Sequence, residues 1–408
     1  METLIKVKGL LDVERQSLVP DAFVLVKNDR IVAAGPQVAA PEGFPAERTL
    51  DHADGYLLPG LINCHAHLCL ASGGKPFLHP QSDRTALLRA SMNMQTELRS
   101  GVTTVRDCGD QNGVLFSLRE AMAEGFLPPG PRLFLCGPPL TMTGGHAAFL
   151  GGVADGPDQL ARAARARIKA GADFIKVIAT GGGTPGTFPG LASYSEAEIG
   201  SVVETAHRLG KKVAAHCRGV PGIANALAAK VDWLEHSCFE LPDGRLKFNR
   251  PLAEKMAAAG AIVTPTIQLF RDGWSNLKRR KEQGVLTSAE EADLFLYPDV
   301  LAEKFKALQA FRELGVACVA GNDAGLPRTG FGLFWKEIEA LVEGGLTAFQ
   351  ALAAATVVPA RALGRGDELG AIRPGFKADL LVVDGNPLDD IAALARVRLV
   401  VRDGRPVS

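Results

Sequence analysis

The chain has 408 residues and a formal net charge of zero, because 45 lysine and arginine residues balance 45 aspartate and glutamate residues. This balance argues against a protein built around nucleic acid or an anionic membrane, since such binding needs a surplus of positive charge. Composition, at 47% hydrophobic and 22% charged, is sufficient for a large core. No apolar run approaches the roughly 18 residues that span a bilayer, and the start of the chain is too charged for a signal peptide. We therefore expect a cytoplasmic protein that binds neither nucleic acid nor membrane.

Both chain ends carry a β-strand pattern without a strong helical pattern nearby. This pattern predicts a small β-sandwich domain assembled from residues 1–56 and 361–408. The short β-type runs, separated by turn residues, are 4–8, 22–27, 30–34, 378–384 and 397–401.

Between residues 57 and 360, short apolar runs alternate with helix-length segments. This alternation indicates parallel strands buried on both faces, and eight such units fit an α/β fold of the (β/α)8 TIM-barrel class. An open, doubly wound sheet is the alternative. Ser195 is expected to cap a helix at 196–208, and the stretch 268–298 is expected to form a solvated helical face or a lid. The predicted strands are 58–64, 102–107, 132–137, 173–179, 212–217, 232–237, 261–266 and 316–321.

The seven cysteines include no CxxC pair, and most lie in apolar strand-like runs. This usage is typical of buried thiols in a reducing compartment. The sequence therefore predicts neither a disulfide framework nor a thiolate zinc site.

Five polar side chains follow predicted barrel strands, at the end of the strands where barrel enzymes place their active sites. His65 and His67 are two residues apart, and such residues in a strand point to the same side, so both imidazoles can face one ion. For any one of the five side chains a structural role is the better explanation. It is a poor explanation for all five together. The five are His65, His67, His216, His236 and Asp323.

Lys176 lies inside the fourth predicted strand, among apolar residues. A bare ammonium facing the barrel interior would cost several kcal/mol to desolvate. Three outcomes relieve that cost: a carboxylate partner, a depressed pKa, or carboxylation by CO2 to a carbamate that can bridge two metal ions.

The chain resembles a known family through an ordered set of motifs. They are residues 58–68 with their HxH pair, Lys176 followed by Ala179-Thr180-Gly181-Gly182, His216, Glu235-His236, and Gly321-Asn322-Asp323-Ala324-Gly325. Together they resemble the amidohydrolase superfamily, and more narrowly its binuclear group of metal-dependent prolidases, arginine carboxypeptidases and ochratoxinase-like amidases. The likeness extends almost end to end, through 144–146, 353–356 and 370–380.

This resemblance implies two divalent metal ions, usually zinc in this group, and imidazole and carboxylate ligands favour the same metal. The implied activity is hydrolysis of an amide or peptide bond in a small-molecule substrate: a dipeptide, an N-acyl amino acid or an aryl amide. Relatives often assemble, so a homo-oligomer is a further expectation. The implied ligands are His65, His67 and Asp323 for one ion, His216 and His236 for the other, and carboxylated Lys176 as the bridge.

A mechanism follows from these roles. With the implied roles, a hydroxide bridging two zinc ions would attack the carbonyl carbon, since metal binding lowers the pKa of water, and Asp323 would carry the proton to the leaving nitrogen. His146 either polarises the carbonyl oxygen and holds the substrate or caps its loop. The loop 181–187, which includes Gly182, lacks a phosphate-loop spacing and is expected to contact substrate. Arg218 either binds a substrate carboxylate or points outward.

Three departures from the pattern of close relatives put dipeptidase specificity in doubt. Arg218 replaces a second histidine after His216, Asn322 stands where a threonine is common, and the segment 237–244 differs from the usual acidic turn. Two other functions compete with the binuclear hydrolase. A mononuclear deaminase or imidazolone-type hydrolase would lack the bridging Lys176, and a catalytically inactive scaffold would be expected to lose at least one of the six ligands.

Overall fold

The computed structural model describes residues 2–71, 81–326 and 329–407, and it describes the backbone alone at 288–289 and 292–298. These residues form fifteen strands. In chain order they are β1 (Glu2–Asp12), β2 (Ser17–Lys27), β3 (Arg30–Pro36), β4 (Thr49–Pro59), β5 (Leu61–Ala66), β6 (Val102–Asp107), β7 (Arg132–Leu135), β8 (Phe174–Ile178), β9 (Lys212–Gly219), β10 (Trp233–Glu240), β11 (Ile262–Thr264), β12 (Ala317–Cys318), β13 (Leu380–Asp384), β14 (Val397–Arg402) and β15 (Arg405–Pro406).

The two chain ends meet in one sheet. Its strand order is β15-β14-β13-β4-β1-β2-β3, and β4 pairs in parallel with β1 and antiparallel with β13. Because β4 joins the ladders of both ends, the structure has a single continuous sheet where the sequence predicted a sandwich. Strand β4 continues to Pro59, past the expected boundary at residue 56, and passes almost directly into β5.

Strands β5 to β12 coincide with the eight strands predicted for the middle of the chain. They form two parallel arcs, β5-β6-β7 and β12-β11-β10-β9-β8. The arcs bond to each other at both edges: Leu140 N donates to Lys176 O at 2.8 Å, and Cys64 N donates to Ala320 O at 3.0 Å. Backbone hydrogen bonds therefore link the two arcs at both of their junctions.

Every residue of β5, β6, β8 and β10 is buried. Such strands read as continuous apolar runs because helices cover one face and packed side chains the other. All seven cysteines are free and six are buried, as the sequence predicts. In the part of the chain that the structure describes, no helix combines the length and the apolar character needed to cross a bilayer.

Eleven α-helices are formed by the described residues. The helix expected at 196–208 has those bounds, and Ser195 and Glu198 form a capping box at its start. The stretch 268–298 is helical, as expected, and contains two helices. The helices are α1 (Asp83–Arg99), α2 (Val114–Ala123), α3 (Gly156–Lys169), α4 (Glu196–Arg208), α5 (Val220–Ala228), α6 (Arg250–Ala258), α7 (Ile267–Glu282), α8 (Ser288–Leu314), α9 (Trp335–Glu343), α10 (Ala348–Ala354) and α11 (Val357–Ala362).

Candidate metal centre and active site

One cavity of about 340 Å³ lies at the carboxyl ends of the parallel strands. It brings together all six residues expected as metal ligands, along with two of the three expected to contact substrate. Gly182 does not line this cavity, whereas its neighbour Gly183 does. The predicted site residues that line it are His65, His67, His146, Lys176, His216, Arg218, His236 and Asp323.

The first group of potential ligands is His65, His67 and Asp323. Asp323 Oδ1 lies 3.4 Å from His65 Nε2 and 3.3 Å from His67 Nε2, and one donor atom from each residue lies within 4.8 Å of the others. The opposite ring nitrogens are held in place, His65 Nδ1 by a Glu235 oxygen at 2.9 Å and His67 Nδ1 by Gly109 O at 2.8 Å. Burial alone raises the pKa of Asp323, but the two imidazoles hold it at about 2.

The backbone is unusual at three positions around the cavity. Asp323, His236 and Thr266 all have positive φ, at 58°, 67° and 47°, a conformation that costs free energy for residues other than glycine and concentrates at functional sites. Gly321 lets the backbone after β12 approach β5, because a Cβ at this position would lie 2.7 Å from the Cβ of His65. The strand ends are therefore shaped to bring Asp323 against the histidines.

The second group is His216 and His236, whose facing nitrogens, Nδ1 and Nε2, are 3.0 Å apart. His236 Nδ1 lies 2.9 Å from Thr266 Oγ1, and His216 Nε2 lies 3.1 Å from Gly181 O. Burial lowers the pKa of both imidazoles well below the usual range. They are therefore neutral, which is the form that binds metals. The rings of His65 and His236 have centroids 4.9 Å apart, so the two groups are neighbours.

Lys176 extends into the same cavity from β8 and is buried. Of the three outcomes considered from the sequence, a carboxylate partner is present, since Lys176 Nζ lies 3.9 Å from Glu235 Oε1. This separation is longer than a hydrogen bond. The charge of Lys176 also helps to lower the pKa of Asp323, His216 and His236, which shows its proximity to both ligand groups.

Two residues beside the site, Glu235 and Arg106, were given no role by the sequence analysis, although Glu235 belongs to one of its motifs. Glu235 is fully buried and contacts His65, Lys176 and Arg106. Arg106 is buried too, with its guanidinium carbon 3.9 Å and 4.0 Å from the ring centres of Phe174 and Trp233. The sequence did contain a signal for both residues: like Lys176, each is a charged residue inside a predicted apolar strand.

His146 lies in the loop after β7. Its Nδ1 is 2.8 Å from Thr184 Oγ1 and accepts a hydrogen bond from Thr184 N at 3.3 Å. Burial lowers the pKa of His146 to about 3, so the ring is neutral and carries its hydrogen on Nε2. Gly182 makes room for this ring, because a Cβ there would lie 2.5 Å from Nε2. Gly182 therefore packs against His146, and its expected contact with substrate stays a prediction.

Arg218 faces the cavity, which favours an inward position over the outward one left open by the sequence. Its Nη2 lies 2.7 Å from Glu240 Oε2, and its guanidinium carbon lies 5.7 Å from the ring centre of Phe270. The side chain is 23% exposed. Much of the remaining wall is apolar and consists of Leu70, Pro139, Ala147, Phe149, Leu150, Ile178, Leu269, Phe270 and Leu326.

The family model described as "Amidohydrolase family" matches residues 56–407. The chain belongs to the amidohydrolase family. The resemblance inferred from the motifs is thereby confirmed, and this amidohydrolase is a hydrolase acting on C–N bonds.

Three relatives place the amidohydrolase more narrowly. A solved Xaa-Pro dipeptidase with bound methionine is 30% identical, with a TM-score of 0.87 and coverage of 100% of both chains. A solved prolidase in complex with N-methylphosphonate-L-proline is 29% identical, with a TM-score of 0.83 and coverage of 100% of this chain and 99% of that one. The ochratoxinase of Aspergillus niger is 27% identical over 92% of this chain and 80% of its own. The protein is accordingly similar to metal-dependent amide and peptide hydrolases of the prolidase and ochratoxinase group.

Proposed function

We propose that this amidohydrolase cleaves an amide or peptide bond in a small molecule, using two zinc ions. The observation that carries the proposal is the convergence of Asp323 Oδ1 with the Nε2 atoms of His65 and His67, next to a second pair of neutral histidines. Its ions would be held by His65, His67 and Asp323 on one side and by His216 and His236 on the other, with Lys176 as a carboxylated bridge.

The residues present fit such a metal pair. Asp323 Oδ1 is buried, and among the described residues it forms no hydrogen bond of regular geometry. Its distances of 3.3–3.4 Å to two imidazole nitrogens suit atoms that share an ion better than hydrogen-bonded atoms. Imidazole with carboxylate is a ligand set that zinc accepts, and an open position for water or substrate is typical of catalytic sites.

The chain's own residues divide the catalytic work. Bound metal ions supply a water molecule that loses a proton near neutral pH. The Asp323 carboxylate accepts that proton and delivers it to the leaving nitrogen. His146 donates its Nε2 hydrogen to the substrate carbonyl oxygen, where negative charge develops during attack.

The cavity favours a substrate with an apolar part and a carboxylate. Its wall is mainly apolar, and Arg218, held by Glu240, can bind a carboxylate in a two-pronged contact. The relatives support this choice, since two solved structures hold methionine or a derivative of L-proline. Dipeptides, N-acyl amino acids and aryl amides with a carboxylate are the substrates to screen first.

We also propose that the two arcs close into a (β/α)8 barrel over residues 57–360. Backbone bonds at both junctions of the arcs support closure. The small β domain would then comprise 1–56 and 361–408, with β4 running slightly past its boundary. Homo-oligomerisation and a cytoplasmic location stay predictions from the sequence.

Metal content per chain, measured by elemental analysis on protein purified with zinc and bicarbonate, tests the proposal. We expect about two ions per chain from the two ligand groups. Lys176→Ala should lose metal and activity together, with partial rescue by short carboxylic acids, whereas the exposed Lys169→Ala should keep both. About one ion per chain would favour the mononuclear deaminase, and none would contradict a metal hydrolase.

A further inference from the structure

Glu235 connects three polar side chains behind the candidate metal centre, those of His65, Arg106 and Lys176. Its Oε2 lies 2.9 Å from His65 Nδ1. Its Oε1 accepts a hydrogen bond from Arg106 Nη1 at 2.7 Å and lies 3.9 Å from Lys176 Nζ. Glu235 is fully buried, and the side chains of His65, Arg106 and Lys176 are each 2% exposed. In such buried surroundings the hydrogen bonds of Glu235 with His65 and Arg106 are stronger than they would be in water, and they constrain its position.

A metal ion on Glu235 itself is the first alternative to weigh. Donor atoms of His65, Cys108 and Glu235 do lie within 4.8 Å of one another. Arg106 Nη1, however, lies 2.7 Å from Glu235 Oε1 and 3.1 Å from Cys108 Sγ. A cation of the chain already occupies this position, so Glu235 acts on the metal centre from behind His65.

The Glu235 contact decides which nitrogen of His65 faces the cavity. A carboxylate accepts hydrogen bonds, so the His65 hydrogen must lie on Nδ1 and the lone pair on Nε2. That Nε2 is the atom 3.4 Å from Asp323 Oδ1. Without the contact, the His65 ring could turn over or carry its hydrogen on Nε2, and either change removes a donor from the first ligand group.

Arg106 in turn fixes Glu235. A buried carboxylate is costly unless a charged partner with good geometry compensates it, and the Arg106 guanidinium is that partner. The rings of Phe174 and Trp233 lie 3.9 Å and 4.0 Å from its guanidinium carbon and hold its plane. Arg106 Nη1 also donates to Cys64 O at 3.0 Å on the neighbouring strand.

We propose that Glu235, held by Arg106, is a positioning residue that directs His65 Nε2 toward the metal and sets the place of Lys176 beside it. This inference rests on the proposed metal-dependent function. It assigns to one carboxylate the alignment of a ligand of the first ion, the histidine on β5, and of the bridging lysine on β8. Groups behind metal-binding histidines typically change metal affinity by about 10- to 100-fold.

The test compares two substitutions with a matched control. In Glu235→Gln, the amide cannot accept from both His65 and Arg106, since only one of its two polar atoms is an acceptor. Glu235→Asp keeps the charge that Arg106 needs for folding but is too short to reach both partners. The control is Asp379→Asn, which removes the charge of another, partly buried pair, Asp379 Oδ2 with Arg132 Nη1 at 2.7 Å; neither residue lines the cavity.

We would measure zinc dissociation constants by chelator competition and record the absorption spectrum of the cobalt-substituted protein, both on folded samples. Thermal unfolding would report the stability of each variant. We expect both Glu235 variants to bind zinc about 10- to 100-fold more weakly and to have a changed cobalt spectrum. Asp379→Asn should lose stability alone. Glu235 variants with wild-type zinc affinity and spectrum would overturn the inference while leaving the proposed function intact. Wild-type protein that binds neither zinc nor cobalt would instead refute the proposed function.

Discussion

The floor and the rim of the cavity are built on different principles. We define the floor as the six potential ligands, His65, His67, Lys176, His216, His236 and Asp323, and the rim as His146, Arg218 and the apolar wall. On the floor, donor atoms from separate strands converge, as where Asp323 meets two histidines within 3.4 Å. On the rim, each polar side chain instead contacts a separate polar partner of its own.

Those rim partners are Thr184 for His146 and Glu240 for Arg218. Both His146 and Arg218 line the cavity. We expect the floor, together with His146 at its edge, to carry the reaction, and we expect Arg218 and the apolar wall to select the substrate. Changes on the floor or at His146 should therefore lower kcat for every substrate, whereas changes at Arg218 or in the apolar wall should alter KM or substrate preference.

The largest effect is expected for Asp323→Asn. The amide cannot carry the proton from the attacking water to the leaving nitrogen, so kcat should fall by about 10³-fold or more. Much of the metal should remain, because the histidine ligands are intact. Steady-state kinetics and metal analysis on one preparation check this, with the exposed Asp155→Asn as the control. A near-normal kcat would remove Asp323 as the proton carrier.

The next effect is expected at the junction of floor and rim, in Gly182→Ala. The new Cβ would lie 2.5 Å from His146 Nε2 and must displace the ring. Displacement of about 1 Å can cost about 10²-fold in rate, and metal content should stay unchanged. The control is Gly200→Ala in α4, where a Cβ has open space. Equal kcat for the two variants would mean that His146 does not polarise the carbonyl.

On the rim itself, Arg218→Met should discriminate between substrates. A charged hydrogen bond contributes about 1.5–3 kcal/mol, so kcat/KM should fall about 10- to 100-fold for a substrate with a carboxylate, mainly through KM. Its neutral amide counterpart should be affected little. Because the change leaves Glu240 buried without its arginine, the double variant Arg218→Met/Glu240→Gln controls for lost stability. Equal losses for both substrates would contradict a carboxylate contact.

The smallest effect on catalysis is expected at Glu97, a buried carboxylate of α1 in neither floor nor rim. Burial raises its pKa from 4.5 to about 7. Between pH 4.5 and pH 7 the folded state therefore keeps a proton on Glu97 that the unfolded state releases. The contribution of Glu97 to the free energy of unfolding is fully present below about pH 4.5 and is lost as the pH rises through 7. Glu97→Gln should remove this loss, which is on the order of 3 kcal/mol.

Urea unfolding of wild type and Glu97→Gln at pH 5 and pH 8 measures this effect, with the exposed Glu124→Gln as the control. The stability difference between Glu97→Gln and wild type should be larger at pH 8, while kcat and KM change little. A constant difference across this range would show that Glu97 stays ionised in both states.

The sequence by itself determined the positions of the barrel strands and the set of candidate metal ligands. Eight apolar runs gave the positions of β5 to β12, and the floor residues followed because parallel strands place their carboxyl ends together. Hydrophobic periodicity and residue type are local properties, so they can be read without a structure. The family motifs added the expectation that these ligands divide between two ions. The presence of two ligand groups on the floor supports that expectation.

Only the tertiary structure decided what lies behind those residues. The contacts of Glu235 with His65 and Arg106 join residues 170 and 129 positions apart, and the packing of Gly182 against His146 joins two loops. The inward position of Arg218 depends on Glu240 in the next strand. Pattern and spacing describe neighbours along the chain, whereas the partner of a buried charge is set by which distant strands pack together, so this information exists only in the fold.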